Sequence, residues 1–191
     1  MEPAGLDRLL RRVRKRDPEA LHELVDAYSA RVFGLLYRLT GSRETAEDLL
    51  QETFLRVVRM IAEYEPGGRF EAWLFRIAAN LARDHVRRAK RRGPSVPLDG
   101  LERHGERGAP KLADAGQPEP SGELLKKEAG ERLNACLQEL PETDREVILL
   151  RHFSELSFRE IADVLEIPLG TALARAHRAL KRLRATFGEE A

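Results

Sequence analysis

The sequence predicts an all-α fold of two small helical domains joined by a flexible linker. Three observations lead there. Apolar residues recur at three- and four-residue intervals through residues 20 to 92 and again after residue 123, the spacing of one helix face. Residues 93 to 122 are rich in Pro, Gly and small polar side chains, with no sustained apolar period. A chain of 191 residues has room for one or two cores. The expected division is therefore 1–92, linker 93–122, and 123–191.

From the N-terminus, Leu6 to Arg16 spell a short basic amphipathic helix to which the sequence assigns no role. Asp17 and Pro18 then form a start signal, followed by the stripe Leu21, Leu24, Val25, Tyr28, Val32, Leu35, Leu36 and Leu39. Gly41 stops that helix. Ser42 can cap the next, whose stripe is Ala46, Leu49, Leu50, Phe54, Val57, Val58 and Ile61. Asp48, Gln51, Glu52 and Arg56 are left towards solvent, and Pro66, Gly67 and Gly68 end the element.

A further helix is expected from about Arg69 to Arg88, with Trp73, Leu74, Ile77, Leu81 and His85 available for packing. Its other face is Arg76, Asn80, Arg83, Arg87 and Arg88. Tyr64, Phe70, Trp73 and Phe75 gather at the mouth of this basic helix. Such rings suit either an ordinary core or the stacking of unpaired bases, worth ~1–3 kcal/mol per base. Trp73 and Phe75 fit the core better; Phe70, nearest the loop, divides evenly between the two.

The linker would span roughly 30 Å as a coil and up to about 100 Å when stretched. Two DNA-contacting domains could then sit more than one duplex turn apart, provided something holds the connection extended.

In the last third, Ser157 stands three residues before Glu160, so each side chain can satisfy a free N–H at a helix start. Ile161, Val164 and Leu165 follow at helical spacing, and Pro168 should end this helix near Leu165 or Glu166. From Thr171 to Arg184, Ala172, Ala176, Ala179, Leu180 and Leu183 share one face, while Arg175, Arg178, Lys181, Arg182 and Arg184 occupy the remainder. No acid lies between Leu169 and Phe187. Two short helices around a tight turn, the second basic, are the pattern of a DNA-reading helix-turn-helix, whose second helix enters the major groove by its N-terminal turn. The plain alternative is a solvated basic helix in a bundle.

Composition narrows the class. The net charge of +1 hides segregation: Arg83 to Arg92 holds six Lys or Arg against Asp84, whereas Ser42 to Glu52 carries Glu44, Glu47, Asp48 and Glu52 against Arg43. The single Cys136 excludes an internal disulfide framework and shares a face with Leu133, Leu137 and Leu140, as a buried thiol would. No apolar span suits a membrane helix, and the mixed-charge N-terminus is unlike a signal peptide, so a cytoplasmic protein without membrane insertion is expected. His22, His85, His104, His152 and His177 are scattered, no Cys and His set has metal-ligand spacing, and no Gly-rich phosphate loop follows a strand. Glu47 and Asp48 are adjacent on a helix and point different ways. Neither an enzyme, a cofactor nor a metal is expected.

Four blocks in order carry a resemblance: AEDLLQETFLR from Ala46, FEAWLFRIAANLARD from Phe70, LPETDREV from Leu140, and FREIA from Phe158, continuing through Gly170-Thr171 to His177-Arg178-Ala179-Leu180. They resemble the extracytoplasmic-function (ECF) group of bacterial RNA polymerase sigma factors, over residues 20 to 92 and 123 to 186.

The resemblance implies a two-domain transcription-initiation factor, with a sigma region 2-like bundle and a sigma region 4-like helix-turn-helix. Neither would work without core RNA polymerase. It implies that Asp48, Gln51 and Glu52, with Arg56 beside them, grip the polymerase clamp. It assigns Tyr64, Phe70, Arg76, Asn80, Arg83, Arg87 and Arg88 to recognition and opening of the minus-10 promoter element. Arg159, Thr171, Leu173, Arg175, Arg178 and Arg182 would meet the minus-35 element. An anti-sigma protein covering the same surfaces is a further implied partner.

The chain departs from the group at one place. After Gly170-Thr171 the group commonly has valine, lysine and serine, then arginine and leucine; here stand Ala172, Leu173, Ala174, Arg175 and Ala176. Leu173 and Ala174 can touch a thymine methyl but form no hydrogen bond to a base edge, so direct readout should lean on Thr171, Arg175 and Arg178. The small Ala172 and Ala176 should thin the packing of this helix. Two other classes stay open at this point: an autonomous helix-turn-helix regulator, usually dimeric, and a helical adaptor with no nucleic-acid role.

Overall fold

The computed structural model describes residues 3–64, 69–92, 130 and 132–188. Among these residues there are helices and no strand: α1 (Pro3–Arg14), α2 (Pro18–Thr40), α3 (Arg43–Met60), α4 (Phe70–Arg92), α5 (132–139), α6 (Glu142–Ser154), α7 (Phe158–Leu165) and α8 (Leu169–Gly188). The expected linker 93–122 and the Pro66-Gly67-Gly68 stop lie outside the described residues.

Local chemistry sets the helix ends. The Asp17 carboxylate accepts the backbone N–H of Glu19 at 3.0 Å and of Ala20 at 3.3 Å, with Pro18 pre-set for the first turn of α2. Gly41, at φ 72°, closes that helix by donating its N–H to the Tyr37 carbonyl. The Ser42 hydroxyl oxygen caps α3 by accepting from the Thr45 N–H at 3.2 Å. α4 continues a turn beyond the expected end, through Ala89, Lys90 and Arg91 to Arg92.

The basic N-terminal helix has a structural role. Leu9, Leu10 and Val13 of α1 enter the core, and the Arg14 Nε donates to the carbonyl of Ile61 at 3.1 Å, tying α1 to the end of α3. Its remaining cations stay at the surface.

In the second unit, Ser157 and Glu160 form the expected reciprocal cap. The end of α7 is made by Glu166 in the left-handed conformation (φ 54°), with Ile167 N–H returning to the Ala162 carbonyl at 3.0 Å and Glu166 N–H to Asp163. Pro168 then starts α8, its carbonyl accepting from Thr171 and Ala172.

The two units touch directly, with α6 seated against α2 and α4. Gly34 makes this possible: a Cβ there would collide with the Phe153 ring. Phe153 lies in the last turn of α6, where carbonyls lack a helical partner, and the Arg31 Nε supplies one at 2.8 Å. The same guanidinium pairs with Glu71 at 3.0 Å and lies over the rings of Tyr28 and Phe75. Gln138 donates to the Arg38 carbonyl at 2.9 Å.

Candidate nucleic-acid interface

The acidic helix face forms as the period predicts. Asp48 and Gln51 of α3 are exposed, and half-exposed Glu52 accepts from the Arg56 Nε at 2.8 Å. Leu55, which falls outside the apolar stripe, joins this face at 50% exposure. The only signal for it in the sequence is that a leucine stands off the packing period.

α4 divides its residues differently from the expectation. Phe70 is 1% exposed and Tyr64 is buried, and their rings meet at 5.7 Å with Trp73 within 5.8 Å of both. Tyr28 closes on Phe70 from α2 at 5.6 Å. As they stand, Phe70 fills the core and offers no open ring face to a base, and Tyr64 is buried apart from what it contributes to a groove wall. Arg76 is exposed in a groove between α4 and α7, with Tyr64 and Trp73 on one wall and Glu160 and Asp163 on the other.

Further along α4 the cations meet carboxylates. Arg83 donates through Nε and Nη2 to one oxygen of Glu146 on α6, at 3.2 and 3.0 Å, and through Nη1 to Asn80. Burial pushes the Glu146 carboxyl up, while the Arg83 charge and hydrogen bonds oppose that shift. Lys90 pairs with Glu142 on the first turn of α6, and Arg87 with Asp84 at 2.7 Å. Arg88 is exposed with no ion pair among the described residues.

The helix-turn-helix is α7 and α8. Arg159, Leu173 and Arg182 are exposed, while Thr171 and Arg175 are half-buried. Arg178 is committed elsewhere: Nε and Nη2 form a two-pronged pair with Asp144 at 3.0 and 2.8 Å, and the Asp144 side chain is 3% exposed. The packing face is Ala172, Ala176 and Ala179 with half-buried Leu183. Leu180, predicted on that face, instead lies 44% exposed, at the margin of the arc that Ala172, Ala176 and Ala179 bury. Cys136 is half-buried on α5, and Leu133 beside it is exposed. Among the described residues no His, Cys, Asp and Glu cluster could hold a metal, and no helix is long and apolar enough to cross a membrane.

Comparison with known proteins matches Sigma-70 region 2 to residues 24–92 and Sigma-70, region 4 to residues 130–183. The ECF RNA polymerase sigma factor SigW of Bacillus subtilis is 35% identical over 179 residues, spanning 92% of each chain. The chain belongs to the ECF group of RNA polymerase sigma factors. The RNA polymerase sigma factor CarQ of Myxococcus xanthus is 36% identical over 180 residues, covering 94% of this chain and 96% of that one. The sigma factor RpoE of Bartonella quintana, solved with the anti-sigma factor NepR, superposes with a TM-score of 0.63 at 23% identity, over 91% of this chain and 98% of that one. This likeness shows the fold.

Membership makes this sigma factor a non-enzymatic initiation factor. It also removes support from the autonomous regulator: the α2–α4 unit, where such a protein would need a dimerising or ligand-binding domain, is region 2.

Proposed function

We propose that this sigma factor divides its work among three surfaces, acting in the cytoplasm where the polymerase is found. Asp48, Gln51, Glu52 and Arg56, with Leu55 among them, hold the polymerase clamp. Arg76, Asn80, Arg83, Arg87 and Arg88, with Tyr64 and Phe70 beneath, recognise and open the minus-10 element. Arg159, Thr171, Leu173, Arg175 and Arg182 meet the minus-35 element, with Arg178 bracing that helix from behind. The observation that supports this division is the separation of charge: an acidic face on α3, and cation-bearing faces on α4 and α8.

Opening the duplex needs no covalent step. A base leaving the stack costs a few kcal/mol, least at easily unpaired steps, and polar and cationic groups such as Asn80 and Arg76 offset that cost. Arg83, Arg87 and Arg88 then hold phosphates, an affinity that falls steeply with salt.

In the described arrangement Glu146 and Glu142 occupy Arg83 and Lys90. Promoter phosphates compete for these cations once region 4 moves off region 2, with residues 93–122 as the tether. An anti-sigma protein, the kind of partner with which the Bartonella protein was solved, would act by keeping the same surfaces covered.

Footprinting with and without core polymerase tests the division. Protection of both promoter elements should require the polymerase, and Asp48→Lys should abolish it. Protection by the free chain alone would refute the reading.

A further inference from the structure

We infer that the minus-35 readout of this sigma factor is carried by thymine methyl groups, held by Leu173 with Leu169 beside it on the first two turns of α8. The inference rests on the reading of α7 and α8 as the minus-35 reader and names the chemistry that this reader selects.

The first observation is where apolar side chains remain uncovered. Six large hydrophobics are exposed among the described residues, and three of them, Leu169, Leu173 and Leu180, lie on α8. Singly scattered leucines need no explanation, but a set on one helix edge does. Leu169 is 39% and Leu173 46% exposed, one helical turn apart. Leu180 continues the edge about 10 Å further along by helical rise, away from the N-terminal turns that enter the groove.

The second observation concerns the polar groups that could compete for base edges. Turning Arg178 towards a base would leave the Asp144 carboxylate, 3% exposed, without its partner. Arg175 is half-buried, with its charge acting on the buried Glu146 carboxyl. Ala174 and Leu173, exposed on the same turns, have no hydrogen-bonding atom in their side chains. On the first two turns, what this edge offers a groove is therefore hydrocarbon, with the exposed His177 one turn beyond Leu173. Among the four base pairs, the one apolar feature of the major groove is the C5-methyl of thymine.

The third observation selects DNA over a protein helix as the occupant of this edge. No acid lies from Leu169 to Phe187, and α8 carries Arg175, Arg178, Lys181, Arg182 and Arg184, with Arg184 on the side of the leucines. The helix N-terminus adds its own positive potential where Leu169 and Leu173 sit. A polyanion whose interior edge presents methyl groups matches both features.

The probe is promoter DNA selected by the reconstituted holoenzyme from a library randomised across the minus-35 element. Selected sequences should contain thymine, and replacing each thymine singly by deoxyuridine, which removes only the methyl, should weaken holoenzyme binding roughly three- to fivefold at one or two positions. Leu173→Ala, exposed and so tolerated by the fold, should bind thymine and deoxyuridine promoters alike, while binding to minus-10 probes stays unchanged. Equal binding of thymine and deoxyuridine at every position overturns the inference, as does a methyl preference that survives in Leu173→Ala. If scrambling the whole minus-35 element has no effect, the reading of α7 and α8 fails as well; if scrambling matters and deoxyuridine does not, only the methyl inference fails.

Discussion

Arg83 of region 2 grips a single carboxylate oxygen of Glu146 in region 4 through two hydrogen bonds, across 63 residues of chain. The Glu146 side chain is 10% exposed, so one of the cations assigned to promoter phosphates is held by an acid that water barely reaches. Lys90 and Glu142 repeat the arrangement nearer the end of α4.

Glu146→Gln should therefore release Arg83. Non-specific duplex binding by the free chain should rise severalfold at low salt, and the slope of log affinity against log salt should steepen by about one, the value of one added phosphate contact. Titration of a labelled duplex over a salt series reads this, and an unchanged slope counts against competition for Arg83.

Gly34→Ala makes a sharper test of the contact itself. Alanine favours the interior of α2 by ~1 kcal/mol over glycine, so helix content should hold or rise. Its methyl would meet the Phe153 ring and push α6 off α2. Fluorescence energy transfer between dyes on α3 and α7 should report a longer distance; an unchanged distance contradicts the packing described.

The Arg178–Asp144 pair is asymmetric in burial, and that sets the order of its mutants. Arg178→Ala leaves a carboxylate stranded at 3% exposure and should be the more destabilising of the two. Asp144→Ala leaves an arginine that can turn to water, expected to cost about 1 kcal/mol. Urea denaturation of the two variants should rank them in that order.

Glu160 links the start of α7 to pH. Its carboxylate accepts the Ser157 hydroxyl at 2.7 Å and the Ser157 N–H at 2.8 Å, and these bonds hold it below the ordinary value of 4.5. A lowered acid pKa contributes stability that is complete above the ordinary value and lost as pH falls through the folded one. Glu160→Ala should cost about 1 kcal/mol at neutral pH, and the gap to the parent chain should close below pH 4.5. Thermal melts across that range check the sign; a constant gap contradicts it.

Features written in local chemistry were legible in the sequence. Asp17-Pro18, Gly41, Ser42 and the Ser157–Glu160 pair mark helix ends through bonds made within three or four residues, and all form as expected. The left-handed turn at Glu166 was not legible, because that conformation usually calls for glycine or asparagine. Phe70 could not be settled from its own neighbours alone, since Tyr28 on another helix also closes on it. Nor could the commitment of Arg178, Arg83 and Arg31, whose partners lie 34, 63 and 122 residues away. Helical period predicts which face is apolar but not how far the helix turns, and Leu180 shows the difference.

The most direct measurement of the central claim is promoter binding by the full chain with and without core RNA polymerase, on a duplex carrying both elements. Specific binding and RNA synthesis should appear only when chain and polymerase are combined, and Asp48→Lys should remove both. Specific binding undiminished without the polymerase, or absent with it, would contradict the account.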